Sequence, residues 1–230
     1  DREQGPLDKA LARIAKNMDR QINKGKLSEE DKKNALQRIT SSTDIAQGVV
    51  TADVIIEVVS ENMAVKEAVL SAVDAAAKAD AIIASNTSSI SITKLASFTN
   101  RPERFIGMHF MNPVPVMKLI EVIRGYATSQ ETMDTILALS KAIGKVPVEA
   151  NDYPGFVANR ILIPMINEAI YTLHEGVAGV EEIDTVMMLG MAHPMGPLHL
   201  ADFIGLDVVL SIANVLYDGF GQGKYAPCPL

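Results

Sequence analysis

The sequence predicts an α/β protein in which a mostly parallel sheet is followed by an all-helical region. Up to about residue 150, short apolar runs alternate with helix-length segments, which is the order of a sheet covered by helices. After Asp152–Gly155 the strand-like runs stop and only helical periodicity remains. We therefore divide the chain into regions 1–150 and 151–230.

The composition of the 230 residues excludes several classes of protein. Hydrophobic residues at 48% and charged residues at 21% are typical of a globular chain and exclude a disordered one. A net charge of −7 argues against nucleic-acid binding, which needs a basic face. No run of 18 apolar residues occurs, so we expect no membrane-spanning helix. The single cysteine, Cys228, excludes a disulfide scaffold and indicates a reducing, cytoplasmic compartment.

Two helices are predicted at the start of the chain. Apolar residues recur there at steps of three and four, the period of an amphipathic helix: Leu7, Leu11, Ile14, Met18 and Ile22. Gly25 ends this helix. Ser28, followed by three acidic residues, is predicted to be the N-cap of the second helix.

Short apolar runs predict the strands, at residues 53–59, 81–84, 105–110, 119–123 and 146–149. The first run is β-branched and apolar on both faces, which predicts a strand buried on both sides. Helices are predicted between strands at 63–77 and 128–143. Three more are predicted after residue 155, at 156–175, 180–189 and 197–220.

His109 has the most suggestive position of the four histidines. It lies at the end of the third predicted strand, before the proline-rich turn Asn112–Pro115. Ligands of doubly wound folds bind at the carboxyl ends of strands, and an imidazole can exchange a proton near neutral pH. The alternative is a loop histidine with satisfied hydrogen bonds. His174, at a helix C-terminus, and His193, in a turn, are predicted to be structural, and that interpretation is also favoured for His199.

Glu121 lies in the middle of an apolar strand, where a carboxylate is costly unless it is paired. The simplest partner is an imidazole on the neighbouring strand, and the separation of twelve residues from His109 leaves room for a connecting loop. A carboxylate beside a histidine fixes its tautomer and stabilises the imidazolium. The alternative is a solvated Glu121 that faces the sheet edge.

Asn159 lies on an apolar helix stripe, and an amide there needs hydrogen-bonding partners. It bonds either a substrate carbonyl or a neighbouring loop. Ser88 follows a strand and could bond a ligand, although Ser/Asn clusters commonly form turns. Glu61 and Lys66, taken alone, are typical of solvated side chains. No Gly-x-Gly-x-x-Gly, Gly-x-Ser-x-Gly or phosphate-loop motif occurs, so no motif marks a nucleotide site or a serine nucleophile.

Several specific segments carry a resemblance to a known family: Ser85–Ser89, Gly107–Ile123, Pro154–Arg160, Met195–Pro197 and Asp202–Asp207. The chain resembles the (S)-3-hydroxyacyl-CoA dehydrogenase family over nearly all its length, and most closely its short bacterial type, the 3-hydroxybutyryl-CoA dehydrogenases. The resemblance implies a Rossmann-type NAD-binding domain at 1–150 and an all-helical domain for substrate binding and dimerisation at 151–230. It also implies a longer protein, with the first β-α-β unit and its glycine-rich turn before Asp1 and a further C-terminal end.

The implied activity is that of an oxidoreductase of fatty-acid and butanoate metabolism. It would interconvert (S)-3-hydroxybutyryl-CoA, or another 3-hydroxyacyl-CoA, with the 3-oxoacyl-CoA, transferring hydride to or from NAD. NADP stays open, although an acid at Asp1 favours NAD because it would repel a 2′-phosphate. The chain length of the acyl group is not readable from the sequence, and neither a metal, a membrane nor a nucleic acid is an expected partner.

The resemblance also implies site residues by position. His109 matches the catalytic base, and Glu121 matches its charge partner. Ser88 and Asn159 match residues that bond the substrate. The positions that match dinucleotide contacts are Asp1, Glu61, Lys66, Ser88 and Asn112.

Two other interpretations stay open at this point. The chain could be a non-catalytic structural relative of the same fold, because fold does not determine function. It could also be the dehydrogenase segment of a multifunctional fatty-acid oxidation protein.

Overall fold

The computed structural model describes residues 1–230 and contains one five-stranded sheet. Its strands are β1 (Val54–Glu57), β2 (Ile82–Ser85), β3 (Phe105–Phe110), β4 (Leu119–Arg124) and β5 (Val146–Asn151). The strands lie side by side in chain order, and every neighbouring pair is parallel except β3–β4. The prediction of an α/β fold with a mostly parallel sheet is confirmed.

Ten α-helices accompany the sheet. Six belong to the sheet region: α1 (Gln4–Asn23), α2 (Glu29–Gln37), α3 (Ile45–Val49), α4 (Met63–Ala76), α5 (Ile92–Ala96) and α6 (Gln130–Ala142). Four follow the last strand: α7 (Ala158–His174), α8 (Val180–Thr185), α9 (Pro197–Ile204) and α10 (Leu206–Phe220). Ser28 caps α2 as predicted, because its hydroxyl accepts the Asp31 N–H at 3.0 Å and the Asp31 carboxylate accepts the Ser28 N–H in return.

Two structural predictions are wrong. The first strand is not buried on both faces, because Ile56 is 39% exposed and Val54 and Ile55 are only partly buried. The helix predicted over 197–220 is two helices, because Gly205 lies between them with φ +103°, a conformation that side chains disfavour.

No single helix is long and apolar enough to cross a membrane, and α9 and α10 meet that test only as a pair bent by 100°. The short helices α3 and α5 were not predicted, since five residues show too little periodicity.

The hydrophobic core lies on both faces of the sheet because side chains alternate along each strand. On one face the buried residues include Leu70, Ile83, Leu95, Phe105 and Ile123, and on the other Ile82, Ile106, Met108, Val122 and Ile136. A separate cluster holds α7, α9 and α10 together. Phe156, just before α7, belongs to the first sheet cluster, so the start of α7 is packed into the core of the sheet region.

Candidate active site

His109 and Glu121 face each other across the antiparallel pair β3–β4. The two residues are in register, which brings side chains on one face of the sheet close together. The distance from His109 Nδ1 to Glu121 Oε2 is 2.8 Å. Both residues are buried, with exposed fractions of 6% for His109 and 2% for Glu121. The predicted contact is therefore present, and the alternative of a solvated Glu121 is wrong.

The second oxygen of Glu121 is held by the start of α7. Oε1 accepts the backbone N–H groups of Val157 at 3.1 Å and Ala158 at 2.9 Å. These amides lie at a helix N-terminus, where N–H groups have no partner within the helix and a negative charge is favoured. One carboxylate thus joins the imidazole of the sheet region to the first helix of the helical region.

Glu121 is ionised at neutral pH. Burial by itself raises the pKa of Glu121. The hydrogen bond and charge of His109, together with the amides of Ala158 and Val157, lower that pKa by more, so it lies below its ordinary value. An ionised carboxylate only accepts hydrogen bonds, so the proton on His109 is assigned to Nδ1 and Nε2 is the ring nitrogen left to exchange a proton with a ligand.

A left-handed turn sets the position of these amides. Gly155 has φ +74° and Phe156 has φ +50°. A Cβ atom at Gly155 would lie 2.9 Å from the backbone nitrogen of Arg160 and 2.6 Å from the Leu216 side chain, and the positive φ disfavours a side chain as well, so glycine is required there. The buried Phe156 holds its strained backbone through packing, with its ring centroid 5.8 Å from that of His109. The turn therefore places α7 on Glu121 and an aromatic ring beside the imidazole.

Three of the other predicted site residues come together next to this pair. The side-chain amide of Asn159 donates to the Ser88 carbonyl at 3.0 Å. The Ser88 N–H donates to Glu61 Oε1 at 2.8 Å, and the Thr87 hydroxyl donates to the same carboxylate at 2.9 Å. Asn159 thus contacts a neighbouring loop, which is one of the two alternatives that the sequence left open.

The remaining predicted cofactor residues are more scattered. Asn112 is exposed in the loop between β3 and β4, and its peptide bond to Pro113 is cis. Asp1 accepts the Arg2 N–H at 2.6 Å, and no hydrogen bond or ion pair joins it to the other predicted site residues. It lines a groove of about 1190 Å³ along the free edge of β1, together with Ser60.

Lys66 is buried, with an exposed fraction of 1%, so the interpretation of a solvated lysine is wrong. Its ammonium lies 2.8 and 2.9 Å from the two carboxylate oxygens of Glu57, the last residue of β1. Sequence reasoning missed Glu57. The signal that could have found it is the one that identified Glu121, namely a carboxylate within an apolar strand.

These features define a class: an α/β protein with a buried imidazole–carboxylate pair at the carboxyl end of β3 in a mostly parallel sheet. Doubly wound folds bind their ligands at the carboxyl ends of strands. The family models agree with this description. Residues 1–153 match the model of the 3-hydroxyacyl-CoA dehydrogenase NAD-binding domain, and residues 155–230 match that of the C-terminal domain of the same family. The chain belongs to the 3-hydroxyacyl-CoA dehydrogenase family.

Individual relatives are similar along nearly the whole chain. A probable 3-hydroxybutyryl-CoA dehydrogenase of Bacillus subtilis is 56% identical over 96% of this chain and 76% of its own length. The 3-hydroxybutyryl-CoA dehydrogenase of Clostridioides difficile is 53% identical over 100% of this chain and 81% of its own. The crystal structure of (S)-3-hydroxybutyryl-CoA dehydrogenase from Ralstonia eutropha superimposes with a TM-score of 0.96 at 52% identity, covering 99% of this chain and 80% of that one.

Proposed function

We propose that the protein interconverts (S)-3-hydroxybutyryl-CoA, or a closely related 3-hydroxyacyl-CoA, with the corresponding 3-oxoacyl-CoA. The observation that carries this proposal is the contact of 2.8 Å between His109 and an ionised Glu121 in a chain of this family. The names of the relatives from Bacillus subtilis and Clostridioides difficile support the choice of substrate.

His109 is proposed to move the proton of the reaction. In the oxidative direction, Nε2 accepts the proton of the 3-hydroxyl group, and the charge of Glu121 stabilises the resulting imidazolium. In the reductive direction the imidazolium returns this proton to the oxygen of the 3-oxo group. Positioned acid–base catalysis of this kind typically supplies a rate factor of about 10² to 10⁴.

The dinucleotide is proposed to lie over the carboxyl ends of β1 to β3. When it is bound there, NAD accepts the hydride in oxidation and NADH supplies it in reduction. The residues present fit such a ligand, because the loops after β1 and β2 offer the Glu61 carboxylate and the Ser88 hydroxyl at the carboxyl ends of these strands. Asp1, Lys66 and Asn112 complete the proposed set. We propose NAD rather than NADP, since Asp1 would repel a 2′-phosphate.

Ser88 and Asn159 are proposed to bond the acyl-CoA around its reacting carbon. Asn159 stands one residue beyond Ala158, whose amide binds Glu121, so a ligand held by Asn159 lies near the imidazole. We therefore propose that residues 151–230 bind the substrate and that residues 1–150 bind mainly the dinucleotide.

We also propose a homodimer formed through the helical region, in the cytoplasm. Large apolar side chains are exposed on α8 to α10 and the segment between α8 and α9, including Val186, Leu189, Met191, Phe203 and Leu206. Monomers rarely expose so many apolar residues in one region. Analytical ultracentrifugation checks the dimer, and a monomer at micromolar concentration would contradict it.

Steady-state kinetics with acetoacetyl-CoA test the proposed reaction. We expect turnover with NADH and a much lower kcat/KM with NADPH. Absence of turnover with either dinucleotide would reject the proposed activity, whereas preference for NADPH would reject only the cofactor assignment.

A further inference from the structure

A buried ion pair lies outside the proton-transfer site, between the end of β1 and the first turns of α4. Lys66 contacts both oxygens of Glu57 at 2.8 and 2.9 Å, and both side chains are almost fully buried. The carboxylate of Glu57 also accepts the Val59 N–H at 2.6 Å and the Ser85 hydroxyl at 2.6 Å. All acceptor positions of a buried charge are thus occupied by donors of the protein.

This pair connects two loops at the carboxyl edge of the sheet. Val59 lies in the loop after β1, and Ser85 ends β2 just before the loop that contains Ser88. Lys66 reaches further, because its ammonium lies 3.5 Å from Glu61 Oε2. Glu61 in turn accepts the Ser88 N–H at 2.8 Å. A continuous polar chain therefore runs from Glu57 through Lys66 and Glu61 to Ser88.

Stability alone does not explain such a pair. Removing two charges from water is costly, and well-packed apolar residues of similar volume are often as stabilising as a buried ion pair or more so. A buried ion pair does impose one geometry, since each partner must meet the other's hydrogen-bonding directions. The placement of Glu57 and Lys66 under two loops therefore favours a role in fixing those loops.

The charge balance points to the same role. One ammonium lies between two carboxylates, with Glu57 below it in the interior and Glu61 above it, partly exposed at the surface. Without Lys66, two like charges would share this small region and would repel each other. The ion pair with Glu57 holds the Lys66 ammonium next to Glu61, and Glu61 accepts the Ser88 N–H.

We propose that Glu57 is a positioning residue for the dinucleotide site, acting through Lys66 on Glu61 and Ser88. The inference rests on the proposed function, because it takes Lys66, Glu61 and Ser88 as dinucleotide contacts. Glu57 itself is proposed to contact neither the substrate nor the dinucleotide. It sets the affinity for NADH and leaves the proton-transfer step to His109 and Glu121, which lie on β3 and β4.

The test compares the wild-type enzyme with Glu57→Gln and with the double variant Glu57→Gln/Lys66→Met. The readouts are the melting temperature, the Kd of NADH measured by fluorescence titration, and kcat at saturating NADH. The single variant leaves a buried ammonium without its countercharge, so we expect a clear loss of melting temperature. The double variant removes both charges, and we expect most of that loss to be recovered.

Affinity should not recover with stability. In Glu57→Gln, which keeps Lys66, and in the double variant we expect the Kd of NADH to be raised by about tenfold or more, the effect of losing one charged hydrogen bond, with kcat changed far less. A double variant that regains both melting temperature and wild-type Kd would overturn the positioning role and leave the pair purely structural. Loss of kcat at an unchanged Kd would overturn it as well.

Two further variants complete the design. Glu57→Asp keeps the charge but draws the carboxylate back from Lys66, so it should raise the Kd of NADH in the same direction with little loss of folding. An unchanged Kd in this variant contradicts the proposal even if the double variant fails to fold. Asp53→Asn/Lys78→Met removes an exposed ion pair at the opposite end of β1 and is the matched control, expected to bind NADH like the wild type.

The wild-type measurements distinguish a failure of the proposed function from a failure of the proposed role of Glu57. A wild-type enzyme that neither binds NADH nor turns over acetoacetyl-CoA would overturn the proposed function and the inference together. Normal wild-type activity with equal NADH affinity in the double variant would overturn only the role of Glu57.

Discussion

Glu121 on β4 and Glu57 on β1 are two buried carboxylates with different partners. Both end up almost fully buried in otherwise apolar strands, and both accept several hydrogen bonds. Glu57 faces a lysine, a residue type that ordinarily stays charged at neutral pH, whereas Glu121 faces a histidine, which gains and loses a proton there. The comparison teaches that the partner decides what a buried acid does. We propose that beside lysine the buried acid fixes geometry, and that beside histidine it supports proton transfer.

Replacing the imidazole gives the largest expected effect. In His109→Gln we expect kcat to fall by about 10² to 10⁴, because no side chain remains to exchange the proton. The Kd of NADH should stay near the wild-type value, which fluorescence titration checks. Near-normal turnover in this variant would show that the proton moves by another route.

Removing the charge of Glu121 gives the next largest effect. In Glu121→Gln we expect kcat to fall by about 10² or more, because the carboxylate no longer holds His109 in its productive tautomer, a loss that reaches about 10⁴ in catalytic triads. NADH affinity should be retained, in contrast to Glu57→Gln/Lys66→Met. If Glu121→Gln and Glu57→Gln/Lys66→Met both lost the same property, either kcat or NADH affinity, Glu121 and Glu57 would not have the different roles proposed for them.

Asn159→Ala tests the proposed contact with the acyl-CoA substrate. We expect kcat/KM for acetoacetyl-CoA to fall about tenfold through the loss of hydrogen bonding, with little change in the Kd of NADH. This is the opposite pattern to the one expected for Glu57. Weaker NADH binding with unchanged acyl-CoA kinetics would contradict the assignment of Asn159 to the substrate.

The smallest expected effect concerns stability in acid. The pKa of Glu121 is lower in the folded protein than its ordinary value of 4.5, despite the opposing effect of burial. Its ionised form therefore stabilises the fold fully above pH 4.5, and this contribution is lost as the pH falls through the lowered pKa. Melting temperatures between pH 6 and pH 3 should decline less steeply in Glu121→Gln than in the wild type. Parallel declines would show that Glu121 does not contribute.

The strand bounds and side-chain pairs of the sheet could be predicted where the local sequence pattern and the packing favour the same structure. The bounds of β3 match the apolar run 105–110, and the pairing of His109 with Glu121 follows from the cost of an unpaired buried carboxylate. The catalytic roles of these two residues stay predictions.

Other parts of the site depend on contacts that no local pattern contains. Lys66 lies on a helix that crosses over the sheet, and nothing in its own neighbourhood indicates a buried partner on the preceding strand. The bond between Glu121 and the amide of Ala158 requires the left-handed turn at Gly155 and Phe156. Phe156 packs there against core residues of the sheet region that are distant in the sequence.

The most direct test of the central claim is the pH dependence of kcat/KM for oxidation of (S)-3-hydroxybutyryl-CoA, in the wild type and in Glu121→Gln. Oxidation requires an imidazole without a proton on Nε2, so the rate should fall on the acid side. Because Glu121 stabilises the imidazolium, its loss should move this acid limb to lower pH. Superimposable profiles of the two enzymes, or a wild-type profile with no acid limb, would contradict the account.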